Sequence, residues 1–229
     1  MCLNKKINLN LGVFFCLLIT LTTTLWFLEF NRNLSRGPLN RTAVEWLGIT
    51  AAMYGLALVP LILILLIEKF AFKTKILPAL GLKHRPNAVR GKMKYIALIL
   101  VMALAVFAVR LLLGKSGEIT PVYFLFQIPG NMIIAFFEEV MFRGYVQGVM
   151  VRRLGDVPGI LATAVLFFIV HLPVRILLQY QKVVQLIGAL VFTLAGGIFF
   201  GVAARKDECI YGCAALHFSF NICHYIALL

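Results

Sequence analysis

Apolar runs of membrane-spanning length recur along the whole chain, and no other property limits its fold so strongly. They fall at about 11–29, 46–67, 95–113, 122–151, 158–172, 183–204 and 208–229. A hydrocarbon core of about 30 Å takes roughly 20 apolar residues in a helix. Inside that core every backbone N–H and C=O must be satisfied within its own segment, which selects helices for runs of this kind. Composition agrees, with 62% of the 229 residues hydrophobic and only 14% charged. Soluble domains average about 45–50% apolar and roughly 25% charged residues. The sequence predicts an all-α, polytopic transmembrane helical bundle of about seven spans, six to eight being the range. Residues 1–229 read as one integral-membrane domain whose polar motifs lie in about 122–229.

Charge placement sets the orientation and the partner. With the N-terminus inside, fourteen Lys and Arg fall in cytoplasmic segments and six in outer ones, while Arg110 and Arg143 lie within spans. That bias follows the positive-inside rule and predicts an N-in, C-out chain. The net charge of +13 is thereby explained by a lipid bilayer, and no nucleic acid is needed. The basic 69–94 segment also suits anionic headgroups. Lys5 and Lys6 precede the first run as in a signal peptide, but that run ends in Trp26-Phe27-Leu28-Glu29-Phe30. Without a small-residue cleavage site, a retained helix is expected. Cys2, Cys16, Cys209, Cys213 and Cys223 are odd in number and sit mostly in or beside spans. They read as free thiols rather than a disulfide framework.

Within the 122–151 run stands Glu138-Glu139-Val140-Met141-Phe142-Arg143. A charge at the bilayer centre costs about 2.5–3.5 kcal/mol on insertion scales, so three within six residues mark a functional cluster or a pinning ion pair. Depth separates the two readings. Counting 1.5 Å per residue from Arg152, Pro158 and Glu208 as the cytoplasmic helix ends puts Glu138 and Glu139 about 20–21 Å deep. On the same count His171 and Asn221 lie about 20 Å deep, and Arg143 and His217 about 14 Å. Three helices deliver acidic, imidazole and amide groups to one layer, which favours a site over a pin.

Spacing divides the roles. Glu139 and Arg143 are four apart in the acid-before-base order of an intrahelical pair. Glu138 is turned by one residue and stays free to take up a proton as a general base. His217 and Asn221 share a face at i, i+4. A water between Glu138 and His171, with His217 and Asn221 as donors to a developing oxyanion, would be a hydrolytic site. His171 precedes Pro173, where the backbone is expected to break. Cys209, Cys213 and His217 share a face and could ligate a metal, though buried cysteine usually acts as a small hydrophobe. His224 and His84 read as structural, Gly197 and Gly201 as a close-packing pair, and Gly114-Lys115-Ser116-Gly117 as a turn. No His-Glu-x-x-His occurs, which disfavours a zincin-type metal helix.

These residues resemble the CAAX prenyl protease type II and bacteriocin-processing (CPBP, Abi) family of intramembrane proteases. Glu138-Glu139-x-x-x-Arg143, Phe167-x-x-x-His171 and His217-x-x-x-Asn221 look like its three motifs, in order on separate apolar helices. The resemblance implies peptide-bond hydrolysis in or beside the membrane. Glu138 and His171 would activate water, His217 and Asn221 would stabilise the oxyanion, and Glu139 with Arg143 would support the site. Glu138, His171 and His217 could in principle hold zinc, yet a metal-free glutamate mechanism uses the same atoms. No cofactor is expected, and zinc is the metal to test. The expected partner is a membrane-associated peptide or protein, in a bacterial or archaeal plasma membrane. Eukaryotic members of the family trim prenylated CAAX proteins, whereas prokaryotic ones are implied in peptide processing or bacteriocin self-immunity. A non-catalytic scaffold or immunity protein acting through helix–helix binding is the alternative.

Overall fold

The computed structural model describes residues 87–114, 121–174 and 183–228, together with positions 59, 62, 63, 65, 66, 69, 70, 80, 82 and 176. The run at 11–29, most of 46–67, His84 and all but the first residue of the Gly114 turn lie outside the described residues. The described part is all helical. In chain order it holds α1 (Asn87–Arg90), α2 (Met93–Leu112), α3 (Pro121–Glu139), a π-helical segment (Val140–Val146), α4 (Gln147–Leu154), α5 (Asp156–Val174), α6 (Val183–Asp207) and α7 (Tyr211–Leu228).

Five of the seven apolar runs fall on these helices, with ends shifted by a few residues. Met93–Leu112 and Leu186–Asp207 are long and apolar enough, each taken alone, to cross a membrane. The 122–151 run is divided: α3 gives way to the π segment before α4 resumes α-helical hydrogen bonding. The break expected at Pro173 does not occur before the helix end, because α5 carries Pro173 in its last turn and stops at Val174. A proline there removes one backbone bond near a terminus, where the disruption is small.

Local chemistry sets the helix ends. Pro121 opens α3, where its missing N–H is no loss. Asp156 stands in the first turn of α5, and Arg205 and Lys206 in the last turn of α6, each matching the sign of the helix dipole. Between α4 and α5 the chain reverses at Gly155, whose φ of 88° suits a residue without Cβ. Lys92 bridges Asp207 and Arg205 bridges Asp156, both at 2.9 Å. The start of α2, the start of α5 and the end of α6 are thereby gathered at one polar end of the bundle.

Helix α5 packs between α4 and α6, and α7 packs on α2, α3 and α6. The core centres on the π segment, all seven of whose residues are buried. Phe142 and Tyr145 pack there with Phe167 of α5, Phe200 of α6, and Ile210, Cys213 and Leu216 around α7. The packed centre of the bundle and the acidic motif thus occupy the same place.

Candidate active site

Glu138 and Glu139 are the last two residues of α3, immediately before the backbone changes to π hydrogen bonding. Being adjacent, they point to different neighbours. The Glu139 side chain is fully buried. Its Oε2 stands 3.2 Å from Nε of Arg143, whose side chain is likewise fully buried. Its Oε1 accepts a hydrogen bond from Nδ1–H of His217 at 2.8 Å. The intrahelical pair expected from the i, i+4 spacing is present, and it is joined by an interhelical bond that spacing alone does not reveal.

Glu138 faces the other way and keeps 27% of its side-chain surface exposed. Its Oε1 lies 3.9 Å from Nε2 of His171, and its Oε2 lies 3.7 Å from Nε2 of His217. Three helices, α3, α5 and α7, therefore converge on this carboxylate, as the depth argument requires. Asn221 is one turn beyond His217 on α7 and half-buried. It takes no part in the polar contacts that join the two glutamates to the two histidines.

The outer partners determine which nitrogen of each histidine is available. Nδ1 of His171 lies 2.7 Å from the Phe167 carbonyl oxygen. A carbonyl only accepts, so Nδ1 carries the proton and Nε2 presents a lone pair toward Glu138. Carboxylate Glu139 likewise makes Nδ1 of His217 the donor. Nε2 of His217 then carries a proton only when the ring is an imidazolium.

Aromatic rings wall the charged groups. The Arg143 guanidinium lies over the Phe167 ring at 4.3 Å and near Phe200 at 5.8 Å. Phe167 also touches the His171 ring at 4.4 Å, so the first residue of Phe-x-x-x-His contacts the last as well as Arg143. Behind them, α6 offers backbone. Arg143 Nη2 donates to the Gly197 carbonyl at 3.2 Å, and Gln147 Nε2 donates to the Gly201 carbonyl at 2.9 Å. Residues four apart on one helix thus meet carbonyls four apart on another. The glycines permit that approach: a Cβ on Gly201 would lie 2.8 Å from Gln147 Oε1, and one on Gly197 3.2 Å from Ala164 Cβ. The small-residue pair does pack closely, and it also exposes two acceptors. Gln147 and Phe200 were not singled out in the sequence, because a lone amide and one phenylalanine among nineteen carry no spacing signal.

Cys209 and Cys213 are buried free thiols, and Cys213 donates to the Ile210 carbonyl at 3.0 Å. Among the described residues no three His, Cys, Asp or Glu side chains form a metal-holding group. Two ligands of a tetrahedral zinc stand about 3.3 Å apart, and the Glu138–histidine separations of 3.7 and 3.9 Å are wider. As placed, neither Glu138, His171 and His217 nor the cysteine face fits that ion.

No curated protein and no solved structure matches the chain. Residues 120–223 match the family model described as type II CAAX prenyl endopeptidase Rce1-like. That segment holds both glutamates, Arg143, both histidines and Asn221. Through residues 120–223 the chain belongs to the CAAX type II family of membrane endopeptidases.

Proposed function

We propose that this protein is an intramembrane endopeptidase that hydrolyses a peptide bond of a membrane-associated peptide or protein by glutamate-activated water. One observation carries the reading. Glu138 faces Nε2 of His171 and of His217, at 3.9 and 3.7 Å, from within an apolar bundle. Polar groups separated by more than 3.5 Å across a shared volume suit a bridging water.

In this mechanism the water donates one hydrogen bond to Glu138 and the other to the bare Nε2 of His171. Glu138 removes a proton as the water oxygen attacks the scissile carbonyl carbon. The carbonyl oxygen becomes an oxyanion, met by Nε2–H of His217 as imidazolium and by the Asn221 amide. Glu138 then passes its proton to the departing amine as the C–N bond breaks. With His217 charged, two carboxylates balance one guanidinium and one imidazolium. Glu139 holds His217 by Nδ1 and Arg143 holds Glu139, so the pair supports the ring that meets the oxyanion. No step passes through a metal. The polar end gathered by Lys92, Asp207, Asp156 and Arg205 faces the cytoplasm in an N-in chain of seven spans, as the positive-inside rule assigns.

The test uses the full-length protein in detergent with internally quenched peptides, one set ending in a farnesylated CAAX sequence and one unmodified and hydrophobic. Glu138→Gln, His171→Ala and His217→Ala should each abolish cleavage, while Glu138→Gln keeps the wild-type melting curve. Wild-type turnover by Glu138→Gln would remove the glutamate from the chemistry. Cleavage of neither peptide set by the wild-type protein would overturn the peptidase reading itself.

A further inference from the structure

We infer that Phe200, on a helix that carries none of the three motifs, is a positioning residue that sets the plane of the His217 ring. The torsion between the Cβ of a histidine and its ring is broad and roughly two-fold. Rotamer preference therefore does not aim Nε2, and contacts have to. His217 has one in-plane contact, Nδ1 to Glu139 at 2.8 Å. A single hydrogen bond at one ring atom leaves the ring able to pivot about it and swing Nε2 away from Glu138. Phe200 closes that freedom. Its ring lies on the imidazole with centroids 4.9 Å apart and planes 19° apart. Phe167 meets the same imidazole edge-on, at 6.2 Å and 75°. With one bond and two ring walls at right angles, the direction of Nε2 is determined.

Phe200 is held for this task. It is buried, and Phe199 and Phe220 flank it at 5.7 and 6.5 Å. On the same helix, Gly197 and Gly201 bind Arg143 and Gln147 through their carbonyls. Those bonds tie the register of α6 to the helix that bears Glu138 and Glu139. The arrangement places an aromatic face against His217, where it stabilises both the orientation and a ring that carries charge.

Phe220 provides the control. It belongs to the same aromatic cluster, against Phe192 at 4.8 Å and Phe200, and has no ring contact with either histidine. Phe200→Leu should lower kcat at least about tenfold with KM within about twofold, since a misplacement near 1 Å costs up to about 100-fold. Phe220→Leu should keep kcat despite a comparable loss of packing. Phe200→Tyr retains the ring face and should keep kcat even where its hydroxyl lowers the melting temperature. Equal losses of kcat in Phe200→Leu and Phe220→Leu, or in Phe200→Leu and Phe200→Tyr, would reduce Phe200 to packing and overturn the assignment.

The kinetic arm rests on the peptidase reading, and a second readout does not. In protein labelled at histidine, the His217 imidazole C–H signals, assigned by their absence in His217→Gln, should be displaced by the ring current of Phe200. That displacement should vanish in Phe200→Leu and persist in Phe220→Leu. A signal unmoved by Phe200→Leu refutes the stack. If the wild-type protein cleaves no peptide while the signal behaves as expected, the function falls and the positioning contact stands.

Discussion

Replacing Arg143 by alanine tests the division of labour between the two glutamates most directly. The substitution removes a guanidinium 3.2 Å from Glu139 Oε2, its bond to the Gly197 carbonyl at 3.2 Å and its cover over Phe167 at 4.3 Å. Glu139 stays buried, with His217 as its remaining polar partner described above. Removing one member of a buried pair typically costs about 3–5 kcal/mol, because the other charge is left uncompensated. At roughly 2–4 °C per kcal/mol for a chain of this size, the melting temperature should fall by about 6–20 °C. Activity should fall with it, since Glu139 no longer holds the His217 ring. Glu138→Ala behaves oppositely: its nearest printed partners are 3.7 and 3.9 Å away, and 27% of the side chain is exposed. It should abolish cleavage while moving stability by no more than about 1 kcal/mol. Arg143→Lys should rescue only in part, since a point charge lacks the forked donors of the guanidinium. The double variant Glu139→Gln with Arg143→Met, which buries no lone charge, should recover melting temperature without recovering turnover. The assay is a melting curve for each variant in one detergent, beside peptide cleavage. Should Glu138→Ala melt well below Arg143→Ala, the roles of the two carboxylates are reversed.

Exhaustive chelation should leave activity intact, with zinc well below one per chain by elemental analysis; stoichiometric metal lost together with activity would replace the glutamate–water mechanism by a metal-centred one. Gly201→Ala places a Cβ 2.8 Å from Gln147 Oε1 and 3.0 Å from Ile160 Cγ2, so it should destabilise the protein by about 1–3 kcal/mol. Gly188→Ala, on the same helix with nothing within 4 Å of its added Cβ, should melt no lower than wild type, and equal losses at both positions would sink the close-packing account.

The legible part of the site was legible for a physical reason. Bilayer thickness imposes a common ruler, so residue counts from the helix ends translate into depth and place Glu138, His171 and His217 together. The Glu139–Arg143 pair follows from helical periodicity within one element. What periodicity does not encode is rotation of one helix against another. The bond from His217 to Glu139 spans 78 residues, and its existence depends on how α7 is turned against α3. His217 was read with Asn221, its neighbour on the same face, because that relation lies within a single helix. The π segment was equally hidden, since its seven residues are buried on all sides and present no polar face whose period could be read. Phe200 and Gln147 matter through what α6 brings to them.

That π segment makes helical phase a variable of its own. A π turn closes its hydrogen bonds five residues apart instead of four, so Val140–Val146 accommodates length that an α-helix would express as rotation. Excising one residue from this stretch would let the chain relax to α-helix at almost unchanged contour. Each residue of an α-helix carries about 100° of turn, so everything beyond the excision would be rephased by about that angle relative to Glu138 and Glu139. Gln147 would leave the Gly201 carbonyl, and the basic end of α4 would face a different neighbour. A one-residue deletion here acts as a twist, and its effect on function should exceed that of most substitutions at the same positions.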